Sequence, residues 1–223
     1  MVDSKITALN DIRNVLFDLD GTLVDSRRTI TASLAHALDQ AGVNRPDNFS
    51  VESLIGRPLL DIFEGEFLLD REQALEAIEI YRDYYDRLEH EGTSVYEQIA
   101  DLLQALKSAE FQLYVATVKP TGIAESVLSG MQLRQYFTGV AGASRGPERR
   151  DKSRIIAHAI HKFELDPARS VMIGDRRQDI DGARENGLAS LAVSYGFGSR
   201  EELVSARPLV IVDWPTEIAG LLR

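Results

Sequence analysis

The sequence predicts an α/β protein: a parallel sheet with helices on both faces, interrupted early by an all-helical insert. Three observations predict it. Short apolar runs bounded by turn residues recur from Val15 to Val212. Between most of them lies a segment with apolar residues at helical spacing, the crossover that parallel strands require. Residues 27 to 92, by contrast, carry helical patterning alone, so a long excursion separates the first strand from the next.

The first strand is the run Val15-Leu16-Phe17, which ends in Asp18-Leu19-Asp20-Gly21-Thr22. Residues two apart share a face of a strand, so Asp18 and Asp20 leave its carboxyl end close together. Gly21 lets the chain turn sharply and lets backbone approach a ligand. Two crowded carboxylates require a cation or a shared proton, a cost that folding alone gives no reason to incur. A plain acidic turn and a calcium loop are the other readings. The calcium loop fails on register: with Gly21 at position six, position one is Leu16 and position twelve is Arg27.

The insert opens with a helix whose stripe is Ile30, Leu34, Ala37, Leu38 and Ala41, capped by Asp25 or Ser26 and closed by Gly42. Pro46, Gly56, Pro58 and Gly65 break the next stretch into short pieces. A longer helix over 71–91 follows, with Ala74, Ala77, Ile78, Tyr81, Tyr85 and Leu88 as its stripe. From Val95 the alternation resumes. Strands are expected at 112–117, 138–143, 170–174, 189–194 and 209–212, with helices between them. Ligands of such sheets bind beyond the carboxyl ends of the strands. The chemistry-bearing residues at those ends are Asp18, Asp20, Thr117, Asp175 and Asp179, with Lys152 opening a helix between them.

Composition excludes several classes. No cysteine is present among the 223 residues, so there is no disulfide scaffold, thiolate zinc site or cysteine nucleophile. A net charge of −10 argues against nucleic acid as a partner, because phosphate backbones favour basic surfaces. The polar, mixed-charge start does not resemble a signal peptide, and no apolar run approaches the roughly 18 residues of a membrane helix. A cytoplasmic protein without membrane contact is expected; nothing in the sequence speaks to its oligomeric state. His36, His90, His158 and His161 lack the companions of a metal site, and no Gly-x-x-x-x-Gly-Lys-Ser/Thr loop is present.

Taken in order, Asp18-x-Asp20-Gly21-Thr22, Thr117, Lys152 and Gly174-Asp175-x-x-x-Asp179 resemble the four motifs of the haloacid dehalogenase superfamily. Within it, Gly174-Asp175-Arg176, Asp179-Ile180-Asp181-Gly182-Ala183 and the stretch from Tyr195 to Leu203 are similar to phosphoglycolate-phosphatase-like and 5′-nucleotidase-like members. The resemblance implies a Rossmann-like core over 1–26 and 93–223 and a helical cap over 27–92. It implies a Mg²⁺-dependent phosphatase that hydrolyses a small phosphate monoester, a phosphorylated metabolite, through an aspartyl-phosphate. Asp18 is then the nucleophile and Asp20 the acid/base. Gly21, Thr117, the Val118 backbone and Lys152 hold the phosphate. Asp18, Asp20 through its carbonyl, Asp175 and Asp179 surround the metal.

Three further readings follow from the same residues. A sugar phosphomutase would share the site, and a phospho-receiver switch combines an aspartate, a threonine and a lysine on a domain about half this length. A dehalogenase has no use for the acid Asp20. Val118 stands where related phosphatases often carry asparagine or serine. Lys119 reads as a solvated loop lysine. Asp179 is also a natural N-cap for the helix after it. Arg57, between Gly56 and Pro58, is the candidate specificity residue of the insert, with a solvated surface arginine as the plain alternative.

Overall fold

The computed structural model describes residues 9–43, 54–55, 57–88, 91–144 and 151–222. Pro46, Gly56, His90 and the basic stretch 145–150 lie outside the described residues. The chain divides into two compact units, Met1–Asp25 with Val95–Arg223, and Ser26–Ser94.

The larger unit is built on a six-stranded sheet. Its strands are β1 (Asn14–Phe17), β4 (Gln112–Pro120), β5 (Gly139–Ala143), β6 (Ser170–Gly174), β7 (Ala189–Val193) and β8 (Val210–Val212). They lie in the order β5-β4-β1-β6-β7-β8, and every pairing is parallel. β1 is central: Phe17 pairs with Val115 of β4 on one side and Ile173 of β6 on the other. The chain runs outward from β1 in one direction to β5 and then in the other to β8. That reversal leaves a crevice beyond the carboxyl ends of β1 and β6. A short ladder of β2 (Val24–Asp25) with β3 (Ser94–Val95) lies where the chain crosses between the units.

Two helices matter most for the site. α6 (Lys152–Phe163) and α7 (Arg177–Glu185) cover one face of the sheet. Ile155, Ile156 and Ala159 of α6 and Ala183 of α7 bury against Leu16, Ala116 and Met172. On the other face Phe17 meets Phe137 edge-on at 6.2 Å. Strand alternation explains the split: Leu16 faces α6 while its neighbours Val15 and Phe17 face away. All three side chains are fully buried. α4 (Ile99–Ser108), α5 (Thr121–Gly130), α8 (Arg200–Ala206) and α9 (Pro215–Leu221) complete the unit.

The smaller unit contains α1 (Arg27–Gln40), α2 (Leu59–Gly65) and α3 (Arg71–Arg87), with α3 packed on both of the others. The α1 stripe buries Leu34, Ala37 and Leu38, and the α3 stripe buries Ala74, Ala77, Ile78, Tyr81 and Tyr85. Asp70 caps α3: it accepts the Gln73 N–H at 2.9 Å while the Gln73 side chain reaches back to the Asp70 N–H at 3.1 Å. Ser26 occupies the N-cap position of α1, yet its side chain makes no capping bond.

The expected strand 112–117 instead runs on to Pro120, with a break in register after Thr117. The long helix stops at Arg87 rather than 91.

Candidate active site

Asp18 is the first residue past β1. Its N–H still donates to the Ile173 carbonyl at 2.9 Å, so the sheet fixes its backbone on the β6 side. Oδ1 accepts the Leu19 N–H at 2.7 Å. Asp175 follows β6 in the same way, and Asp179 stands at the third position of α7. One carboxylate oxygen from each of Asp18, Asp175 and Asp179 lies within 4.8 Å of the others, and all three residues are buried. Glycine makes this crowding possible. Gly21, with φ +83°, passes so close to Asp175 that a β-carbon would strike its carboxylate, and one on Gly174 would strike that of Asp179.

Each carboxylate is held. Asp175 accepts the Thr22 hydroxyl at 3.2 Å and the Phe197 N–H at 2.8 Å. The Tyr195 hydroxyl donates to the Thr22 carbonyl at 3.0 Å, tying the loop after β7 to the loop after β1. Asp179 does not cap α7; that position belongs to Arg176, whose N–H donates back to Asp179 Oδ2 at 3.0 Å. Sitting three residues into the helix turns the Asp179 carboxylate toward the cluster.

Lys152 enters from α6, whose N-cap Asp151 accepts the Arg154 N–H at 2.9 Å. Its ammonium has three protons and three neighbours. Nζ donates to the Ala116 carbonyl at 3.0 Å and lies 2.8 Å from both Asp18 Oδ1 and Asp179 Oδ1. Burial opposes its charge, but Asp179 and Asp18 outweigh that cost and raise its pKa.

Lys119 departs from the sequence reading. It is buried, not solvated, and its Nζ lies 2.9 Å from Asp20 Oδ2. Thr117 is buried beside it, and its hydroxyl oxygen accepts the Lys119 N–H at 3.2 Å. Val118 has a packing role: its side chain leans on the cluster of Leu16, Ile156 and Met172. The Gly21 N–H is engaged by the Val24 carbonyl at 2.9 Å. Arg57 belongs to the smaller unit, where it pairs with Glu66 at 2.6 Å.

The charges do not balance. Asp18 and Asp179 pair with Lys152, Asp20 pairs with Lys119, and Arg176 adds a favourable charge near Asp175, so the four carboxylates outnumber the ammonium groups paired with them. The strain shows in the acids. Burial raises the Asp18 pKa, opposed by Lys152 and reinforced by Asp179 and Asp20, from 3.8 to about 6. Burial, then Asp179 and Asp18, push Asp175 well above the usual carboxylate range. A buried all-oxygen donor set with that surplus fits a hard divalent cation.

The fold and this centre define a class: α/β enzymes with a cation-ready carboxylate cluster at the switch point of the sheet. The chain belongs to the haloacid dehalogenase-like hydrolases, whose family model matches residues 15–193. A 5′-nucleotidase of Pseudomonas aeruginosa is 37% identical over 195 residues, covering 87% of this chain and 88% of its own. Tyrosine-protein kinase PtkA of Mycobacterium tuberculosis is 37% identical over 202 residues, 91% of this chain and 69% of that one. Phosphoglycolate phosphatase of Vibrio vulnificus is 28% identical over 212 residues, with 91% and 92% covered. Among solved structures, a predicted phosphatase from Clostridium acetobutylicum superposes with a TM-score of 0.86 at 38% identity, covering 94% of this chain and 97% of its own. The protein is thus a phosphatase-type enzyme of this family. No helix among the described residues is long and apolar enough to cross a membrane.

Proposed function

We propose that the protein is a Mg²⁺-dependent phosphatase that hydrolyses a small phosphate monoester, phosphoglycolate-like or 5′-nucleotide-like, through a phosphoaspartate on Asp18. The observation that carries this is the buried centre itself: Asp18 beside Lys152, Asp175 and Asp179, with Asp20 two residues on. A carboxylate needs no deprotonation to attack at neutral pH, and an acyl phosphate is labile enough to be hydrolysed.

In this reading each residue has a role that the geometry supports. Asp18 attacks phosphorus and keeps the phosphoryl group while the alcohol departs. Asp20 protonates the departing oxygen and then takes the proton of the water that cleaves the phosphoaspartate. Lys152 and the Thr117 hydroxyl hold phosphate oxygens, and the backbone at Val118 and Gly21 closes around them. Because the Gly21 N–H is already engaged, its contribution is close approach, not donation. Asp18, Asp175 and Asp179, with the Asp20 carbonyl, would hold the cation. When bound, Mg²⁺ supplies charge that offsets the surplus carboxylates and the phosphate.

The larger unit acts in this reading as the catalytic core and residues 27–92 as a cap that contributes to substrate choice. The relatives' names, 5′-nucleotidase, phosphoglycolate phosphatase and tyrosine-protein kinase, point to different carriers of a phosphoryl group, which leaves the substrate of this chain to be found by experiment. The test is chemical. Acid-quenched parent enzyme, mixed with p-nitrophenyl phosphate and Mg²⁺, should carry phosphate on Asp18, and Asp18→Asn should carry none and lose turnover. Substantial turnover by purified Asp18→Asn would overturn the mechanism.

A further inference from the structure

We propose that Lys119 is a positioning residue that fixes the carboxylate of Asp20 for its acid/base work, an inference that rests on the reading above. The starting point is the break in β4. Its pairing with β5 runs in register to Thr117 opposite Gly142 and resumes with Pro120 opposite Ala143. Val118 and Lys119 are therefore extra on one strand, with nothing opposite them. Such a bulge bends a strand and re-aims its side chains. Here it directs Val118 into the cluster under the sheet and leaves Lys119 with its ammonium on Asp20.

Three local features build the bulge. Pro120 has no N–H to continue the ladder. The displaced Lys119 N–H donates to the Thr117 hydroxyl at 3.2 Å. Across the gap, Gly142 lies against the Lys119 carbonyl and the Thr121 backbone, where any β-carbon would collide. The Gly142 N–H donates to the Thr121 hydroxyl at 3.1 Å, which closes the far side.

The result is a desolvated ion pair, with the Lys119 side chain 8% and the Asp20 side chain 11% exposed. Taking an ammonium out of water is costly unless a partner is held in good geometry. The site gives its two ammonium groups separate tasks: Lys152 serves Asp18 and Asp179, and Lys119 serves Asp20. Asp20 sits beyond the end of β1, and acid/base work asks that its carboxylate be held in one place. It must meet first the leaving oxygen and then a water, and misplacement by a fraction of an ångström slows both steps. The Lys119 contact holds Oδ2 of that carboxylate at 2.9 Å.

The experiment is a double-mutant cycle on the Mg²⁺-loaded enzyme with p-nitrophenyl phosphate: parent, Lys119→Met, Asp20→Asn and the pair. Lys119→Met should lower kcat about 10- to 100-fold and lower Tm, because the buried Asp20 loses this partner, while leaving Mg²⁺ affinity near the parent's. Lys119→Arg should recover part of the loss. In the Asp20→Asn background the same change should alter kcat by less than about threefold, because a residue that acts through Asp20 has nothing left to position. Should Lys119→Met fold poorly, Lys119→Gln takes its place in the cycle. Equal losses in both backgrounds, or no loss in the parent, would overturn the proposal and leave the phosphatase reading intact. Parental activity in Asp20→Asn alone would sink the acid/base reading, and the proposal with it.

Discussion

At the scale of single residues, the centre is a place where folding and function pull apart. In the folded protein burial, the largest influence on it, raises the Asp18 pKa from 3.8 to about 6. Between those values the folded state keeps a proton that the unfolded state has lost. Raising the pH through that window therefore removes stability, and below it the group is protonated in both states. Asn cannot ionise, so Asp18→Asn escapes the loss. With chelator present, the Tm of Asp18→Asn relative to the parent should climb by about 2–6 °C as pH rises from about 4 to 7. Saturating Mg²⁺ should shrink the gap, since a cation that binds the ionised folded state restores what the pH removed. A parent that gained on the variant over that range would reverse the sign and refute the account.

Among elements, β1, β6 and the start of α7 set the spacing of the cluster, and Gly174 at the end of β6 is a position that tolerates only hydrogen. At Gly174 an added methyl meets the Asp179 side chain, which is packed and has no room to retreat. Gly174→Ala should cost about 1–3 kcal/mol, the usual range for overpacking. For a chain of this size that corresponds to a fall in Tm of roughly 2–12 °C. Mg²⁺ should bind more weakly in the same variant, because Asp179 is displaced. Thermal melts with and without Mg²⁺ check both, and a variant with parental Tm and Mg²⁺ response would show that the strand end yields more easily than its packing suggests. The motif Gly174-Asp175 was legible in the sequence as a strand end followed by an acid. The placement of Asp179 was not: its spacing matches an N-cap, and only the actual start of α7 at Arg177 puts it at the third position.

For the whole molecule, the question is how a phosphoryl site common to many monoesters acquires a preferred one. Asp18, Asp175 and Lys152 all belong to the larger unit. We propose that substrate discrimination comes from the smaller unit, with Arg57 as the candidate residue. Its guanidinium is held by Glu66, so it is oriented as well as charged. Losing a charge-assisted hydrogen bond to substrate should lower kcat/KM by about 10- to 150-fold, or roughly 1.5–3 kcal/mol. Arg57→Ala should show that loss on the preferred monoester, found by a phosphate-release screen, and almost none on p-nitrophenyl phosphate. Equal losses on both would make Arg57 a structural residue.

The sequence by itself determined the α/β class, the helical insert and the order of Asp18, Asp20, Thr117, Lys152 and Asp175. These rest on local periodicity and spacing, and a strand's period of two or a helix's stripe is written in neighbouring residues. The tertiary structure decided what depends on residues far apart in the chain. That Lys152 meets Asp18 and Asp179, that Thr22 and Phe197 grip Asp175, and that the carboxylates outnumber their ammonium partners needed the strand order around β1. Lys119 is the clearest case. A lysine before a proline after a strand has the local signature of a solvated loop, and composition gives no sign of the bulge. The bulge exists because Gly142 of the neighbouring strand leaves room for the displaced backbone, a fact of pairing between segments some twenty residues apart. Burial follows from that pairing, and the ion pair with Asp20 follows from burial.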